Sequence, residues 1–395
     1  MINPRLITLL GVMILASSQV SAEKREPFEL RDGDRVVLLG GTLVERAQKY
    51  GFVESALVSA YPDRNISFRN LGWSGDTVFA ESRGIFDPPA VGYRRIIEQI
   101  TELKPTLIFI AYGTNESFAG KAGLERFLGQ LNKLIDDVAK TKADIVLLSP
   151  HRHEVMKPPL PDASKNNPNL KLYTDAIERL AQQRSCQFAN LYETTVPAGS
   201  KATYTYNGIH FAEKGYQRLG GVLVDELRLP HQSADILVSA DRKIEANGTA
   251  KVFVLDGAKS LGVSIQLKRL HAAGDWPRLK VNGLKAGNYE IKVDGKTSAK
   301  LSAKQLAESG FSLGDGPDGR QLTQLLSKTI DKNLLYFHRW RPQNVTYLFG
   351  FRKHEQGNNA KEVAEFEPLV RKEESVIAKL RVPKPHRYEI VSAGK

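Results

Sequence analysis

The residues with chemistry to offer stand in two short segments. Tyr206-Asn-Gly-Ile-His-Phe211 places an imidazole three residues after a side-chain carbonyl, at the mouth of a helix, and Gly113-Thr-Asn-Glu116 sets an amide just past an apolar run. An imidazole is the side chain best matched to moving a proton near neutral pH, and a fixed amide N–H suits a developing oxyanion. Together they are parts of an acyl-transfer site, and they are not enough alone.

The elements around them predict how they are positioned. Arg35-Val-Val-Leu-Leu39, Ile66-Ser-Phe68, Thr106-Leu-Ile-Phe-Ile-Ala111, Asp144-Ile-Val-Leu-Leu-Ser149 and Gln187-Phe-Ala189 read as strands. Helical patterns fill the intervals: Val44 to Ala60, Leu124 to Lys140, Asn169 to Arg184 and Glu213 to Leu227. This alternation predicts a three-layer α/β unit with a parallel sheet covered on both faces. Ligands of such sheets sit beyond the carboxyl ends of the strands. Gly40-Gly-Thr42, Asn70 to Thr77, Gly113 to Glu116 and Asn207 to His210 all fall on that edge.

In order, spacing and local sequence these four blocks resemble the SGNH or GDSL hydrolase family, over roughly Asp34 to Leu229. The resemblance implies a flavodoxin-like fold and an esterase, lipase or carbohydrate deacetylase activity. It implies Thr42 at the nucleophile position next to Gly41, His210 as base, Asn207 as its orienting partner, and Gly75 and Asn115 as oxyanion donors. Two positions depart from the family pattern: Thr42 stands for serine and Asn207 for aspartate. The threonine methyl crowds attack by restricting χ1. Asparagine can accept a hydrogen bond from the imidazole yet gives no charge to stabilise imidazolium, and in a serine triad the same change cost about 10⁴ in turnover.

Three readings follow. The first is an ester hydrolase acting on carbohydrate esters through Thr42. The second is a retired domain that binds glycans, and the third is direct water attack assisted by a carboxylate such as Asp76 or Glu116. Glu45 and Arg46 lie close to the same loops, either as further site groups or as a surface pair on the first turn of a helix. His151-Arg-His-Glu154 follows the fourth strand; alternating histidines in a loop are a weak metal signal, so His153 and Glu154 are candidate substrate contacts, with no metal and no cofactor expected. Trp73 and Tyr112 fit either sugar stacking or loop packing.

Beyond Leu229 the pattern changes. Short alternating runs separated by Gly287-Asn288 and Asp294-Gly295 predict antiparallel hairpins and a small β-sandwich-like module over residues 235–300. A mixed helical and irregular segment, 301–395, follows, with helices at Ala303 to Ser309 and Gln321 to Lys332. In it Arg339, Trp340, Arg341 and Asn344 crowd groups that hold polyhydroxylated ligands or lock a seam between units.

Met1 to Arg5 is weakly basic, Leu6 to Ala16 apolar, and Val20-Ser-Ala22 resembles a cleavage site, so residues 1–22 read as a signal peptide, with the α/β unit over 23–230. An exported protein, periplasmic or secreted, is expected, without a membrane span in the mature chain. Cys186 is the only cysteine, so no disulfide forms within the chain. The net charge of +12 is scattered, and export argues against nucleic acid; the expected partner is a small-molecule or polysaccharide ester. Oligomeric state is not legible.

Overall fold

The computed structural model describes residues 28–393 except 197–198, 200–201, 232 and 256–259. The expected signal peptide, residues 1–22, lies outside the described residues.

The α/β unit runs β1 (Arg35–Gly40), α1 (Thr42–Ala47), α2 (Phe52–Ala60), β2 (Ser67–Asn70), α3 (Pro89–Leu103), β3 (Leu107–Ala111), α4 (Gly120–Ala139), β4 (Asp144–Leu148), α5 (Asn167–Gln183), β5 (Gln187–Ala189), α6 (Leu191–Thr194) and α7 (Glu213–Glu226). Its five strands are all parallel, in the order β2-β1-β3-β4-β5. Strand side chains alternate between two cores: Val36, Leu38, Leu107 and Phe109 join α2 and α7, whereas Val37, Leu39, Ile108 and Ile110 join α3, α4 and α5. That two-sided burial is why these strands read as unbroken apolar runs.

One predicted helix divides. Residues 44–60 form α1 and α2, separated at Gly51, whose φ of +67° is a left-handed conformation that glycine adopts without strain. The backbone there runs close to the C-terminal helices, and a Cβ at Gly51 would meet Leu326 O at 3.1 Å.

The remaining elements are β6 (Ile236–Ser239), β7 (Ile244–Glu245), β8 (Ala250–Val254), β9 (Leu261–Leu267), β10 (Arg278–Asn282), β11 (Asn288–Val293), β12 (Lys296–Ser302), α8 (Ala303–Glu308), β13 (Phe311–Ser312), α9 (Pro317–Trp340), α10 (Val345–Leu348), α11 (Lys353–Gln356), α12 (Phe366–Leu380) and β14 (His386–Ser392). They build two sheets, β13-β10-β6-β7 and β12-β11-β14-β9-β8, around a core of Ile236, Val263, Leu279, Ile291 and Tyr388.

The β module differs from expectation in three ways. β11–β12, across Asp294-Gly295, is a hairpin as foreseen, and the consecutive pairs β8–β9 and β6–β7 are antiparallel as well; Gly287-Asn288 instead carries the chain from one sheet to the other. β10 pairs with β6 in parallel. The boundary at 300 does not hold either, because β14 lies between β11 and β9.

Between β13 and β14 the chain packs on the α/β unit. Lys332 of α9 donates to Glu54 of α2 at 2.6 Å and to Phe68 O at 3.2 Å, with both side chains buried. Arg69 of β2 pairs with Glu374 of α12 at 2.5 Å. An edge strand thereby acquires cover, and burial of the Lys332 ammonium lowers its pKa. Among the described residues no helix is long and apolar enough to cross a membrane.

Candidate active site

Thr42 opens α1 directly after β1, with Gly41 at the N-cap. Gly41 is where the Asp76 backbone comes close: a Cβ there would stand 3.0 Å from Asp76 O. Gly75, at φ +73°, turns its backbone N–H onto Thr42 Oγ1 at 2.9 Å. Asn115 donates from Nδ2 to Asp76 O at 2.9 Å, which ties the third block to the second. Thr42, Asp76, Asn115, His151 and His210 all line one cavity of about 40 Å³ at the carboxyl edge of the sheet. A water needs about 10–15 Å³ measured in this way, so the space suits a two-carbon acyl group or a few waters.

The turn that carries His210 is held from outside itself. Glu154 accepts from Tyr204 N at 2.9 Å, Thr205 N at 2.7 Å and the Thr205 hydroxyl, while its own N–H donates to Gly208 O at 2.9 Å. His151 Nε2 donates to Ile209 O at 2.6 Å. The loop after β4 is therefore a clamp on the His210 turn. His153 is buried behind it, with its ring against His151 and Phe118, so neither His153 nor Glu154 lines the cavity. Burial holds the His151 imidazole at a pKa of about 3 and that of His153 at about 4, with neighbouring imidazoles adding to the effect. Both rings are neutral. Among the described residues no cluster has the makings of a metal site.

Asn207 behaves differently from the acceptor that sequence suggests. Its Oδ1 accepts the backbone N–H of His210 at 2.9 Å and of Ile209 at 3.2 Å, which fixes the amide orientation. Nδ2 then faces His210 Nδ1 at 2.9 Å, as donor. Oδ1 also lies 3.2 Å from the same Nδ1; the shorter contact, with Nδ2, favours the tautomer that accepts at Nδ1 and carries its proton on Nε2, the atom a general base needs free. Burial first, and Arg46 second, lower the His210 pKa, so the ring is neutral. Tyr206 stacks on it at 5.7 Å.

The carboxylates have other work. Glu116 Oε1 accepts from Val78 N at 2.7 Å and Oε2 from Gly113 N at 2.8 Å, so it joins two loops, and burial raises its pKa. Glu45 pairs with Arg341 at 3.1 Å and accepts from Ser74 N. Asp76 Oδ2 holds Arg83 Nε at 2.5 Å and Tyr112 OH at 3.0 Å; its Oδ1 is buried without a partner. Arg83 went unremarked in the sequence because no motif contains it. The one signal was that a buried Asp76 requires a cation.

The C-terminal groups stand elsewhere. Arg341 lies 3.4 Å above the Trp73 ring, which takes one face of Trp73 from a sugar, and Trp340 meets that ring in an edge contact at 6.1 Å. Trp73, Trp340 and Arg341 line a second cavity instead. Asn344 bonds Gln356 at the surface, and Arg339 lines neither cavity.

A family model described as GDSL-like lipase/acylhydrolase matches residues 34–218. Among solved structures, a gut microbial diltiazem-metabolizing enzyme superposes with a TM-score of 0.69 at 15% identity, covering 92% of this chain and 98% of its own. At that identity the likeness is one of fold, and it extends through the β module and the C-terminal helices. An α/β hydrolase enzyme from the metagenome of Lake Arreo, Spain, covers 51% of this chain and 99% of its own at 18% identity and a TM-score of 0.41. An acetylxylan esterase from Geobacillus stearothermophilus covers 51% and 96% at 17% identity and a TM-score of 0.38. No curated protein matches the sequence.

Proposed function

The α/β unit belongs to the GDSL-like lipase/acylhydrolase family, whose members act on esters, and from that premise we propose that the protein is an exported hydrolase of short acyl esters on carbohydrates. The carrying observation is convergence: Thr42, Asn115 and His210 line one cavity of about 40 Å³, and the Gly75 N–H is turned onto the Thr42 hydroxyl. In this reading Thr42 Oγ1 bonds the acyl carbon and its proton passes to His210. The oxyanion forms against Gly75 N–H and Asn115 Nδ2. His210 returns the proton to the leaving alkoxide, and a water then cleaves the Thr42 ester and restores the hydroxyl. Loss of one oxyanion donor from such a site costs on the order of 10²–10³ in rate.

The step that limits this enzyme is the first proton transfer. With Asn207 Nδ2 the nearer partner of Nδ1, at 2.9 Å against 3.2 Å for Oδ1, the tautomer that accepts from Thr42 at Nε2 is the less favoured one. A slow hydrolase follows. The same hydrogen bond favours a second reading, a domain that binds acylated glycans and no longer turns them over.

Release of acetate from O-acetylated oligosaccharides and p-nitrophenyl acetate, measured beside His210→Ala and Thr42→Ala, separates the two. Turnover lost in both variants supports the hydrolase. Equal rates in all three proteins would overturn it and leave the binding reading, to be tested by titrating the same oligosaccharides.

A further inference from the structure

The second cavity, about 380 Å³, opens between the loop before α3 and the segment around α10. Its walls are Ile85, Phe86, Ile96, Val345, Phe349 and Phe351, with Trp73 and Trp340 behind them. Several of these large side chains lie open to solvent: Phe86 is 75% exposed, Phe351 71% and Phe349 54%. Phe86 and Phe351 already meet edge to face, at 5.8 Å and 80°. Ile85 holds a φ of +60°, a costly conformation for a β-branched residue, at the lip of the same cleft.

The charged groups of the lining are three arginines, Arg83, Arg95 and Arg341, and one carboxylate, Asp87. Arg83 is 3% exposed; it spends Nε on Asp76 and Nη2 on backbone carbonyls, and its Nη1 has no partner. Trp340 Nε1 is likewise buried and unpartnered. Asp87, the carboxylate of this lining, is engaged by Arg95. The cleft thus offers two unused donors, one of them cationic, and no unused buried acceptor among its described lining residues. A flat apolar ring with an anionic end matches both the aromatic edges and the donors.

We propose that this cleft is a binding site for an aryl carboxylate, distinct from the acyl cavity. The ring lies among Phe86, Phe349 and Phe351, and the carboxylate accepts from Arg83 Nη1 and Trp340 Nε1. The Asp76–Arg83 pair is the partition between the two spaces, since Asp76 lines the acyl cavity and Arg83 lines the cleft.

Two of the three tryptophans, Trp73 and Trp340, line the cleft, so intrinsic fluorescence reports on its occupancy. The probe is trans-cinnamate, titrated into the full chain with calorimetry alongside. Saturable quenching is expected. Cinnamyl alcohol, which keeps the ring and lacks the charge, should bind about tenfold more weakly, as should the double variant Phe349→Ala/Phe351→Ala. Trp340→Phe, which keeps the aromatic body and removes the N–H, should also weaken binding, with the Trp73 signal remaining as reporter. His210→Ala should bind cinnamate as the parent does, which separates this site from hydrolysis. Absence of saturation, equal affinity for the alcohol, tighter binding of octanoate than of cinnamate, or an unaffected phenylalanine variant would each overturn the proposal. The two phenylalanines are exposed, so an unchanged far-ultraviolet spectrum is the control for folding.

Discussion

In Asn207→Asp a carboxylate oxygen stands where Nδ2 now faces His210. The turn needs no rearrangement, because the other oxygen keeps the backbone N–H groups of Ile209 and His210 at 3.2 and 2.9 Å. The direction of the third hydrogen bond reverses: Nδ1–H donates, and Nε2 presents its lone pair to Thr42. The new charge also stabilises the imidazolium formed in the transition state, by about 4 kcal/mol for charges 4 Å apart in a half-buried setting. At about 1.4 kcal/mol per tenfold, turnover should rise on the order of 10³, up to the roughly 10⁴ that the reverse change cost in a serine triad. The pH profile gives a second readout. Aspartate raises the His210 pKa, so the acidic limb of kcat/KM moves to higher pH and the gain is larger at pH 8 than at pH 6. The assay is p-nitrophenyl acetate hydrolysis across that range. A folded Asn207→Asp protein with unchanged or lower kcat at every pH would refute the tautomer reasoning.

Thr42→Ser removes the methyl that restricts χ1 and should raise kcat about tenfold, whereas Thr42→Ala should abolish acyl-enzyme formation, read as loss of the burst with the same ester. Glu154→Gln replaces a carboxylate that receives three donors at the His210 turn; stability should fall by about 2 kcal/mol in urea denaturation, and kcat should fall further than KM rises. His153, depressed from 6.5 to about 4, makes the folded state bind fewer protons than the unfolded one. Stability should therefore be complete above pH 6.5 and decline as pH falls towards 4, by about 3 kcal/mol from this ring, a slope that flattens in His153→Gln. Lys332→Met strands the buried Glu54 carboxylate and should cost about 3–5 kcal/mol, most of it recovered in the double variant with Glu54→Leu, as measured by denaturant midpoints.

The sheet was legible because β1, β3 and β4 are buried on both faces and so written in unbroken apolar residues. The active edge was legible because four polar blocks follow those strands in order. What escaped the sequence depends on direction or on distance along the chain. Asn207 is visible as a partner of His210, yet whether it donates or accepts is decided by the N–H groups of the turn it caps. Glu154 and His151 suggested ligands, and only the folded turn shows them gripping backbone. α9 was expected to stop near Lys332; it continues to Trp340 because Tyr336 and Trp340 find cover on the α/β unit, a contact between residues far apart in sequence. β14 had no local cue for its place between β11 and β9.

That placement of β14 sets an order on synthesis. Residues 34–229 contain every strand and helix of the parallel sheet, so the α/β unit can collapse while the ribosome is still making the remainder. The β module cannot: β9 and β11 wait with unpaired edges until residues 386–392 exist to lie between them. α9 and α12 precede residues 386–392 in the chain and pack on the α/β unit, so their anchorage keeps the following strand near the open gap. The seam through Lys332 is thereby also the splint that lets a late strand find its slot before another molecule's edge does.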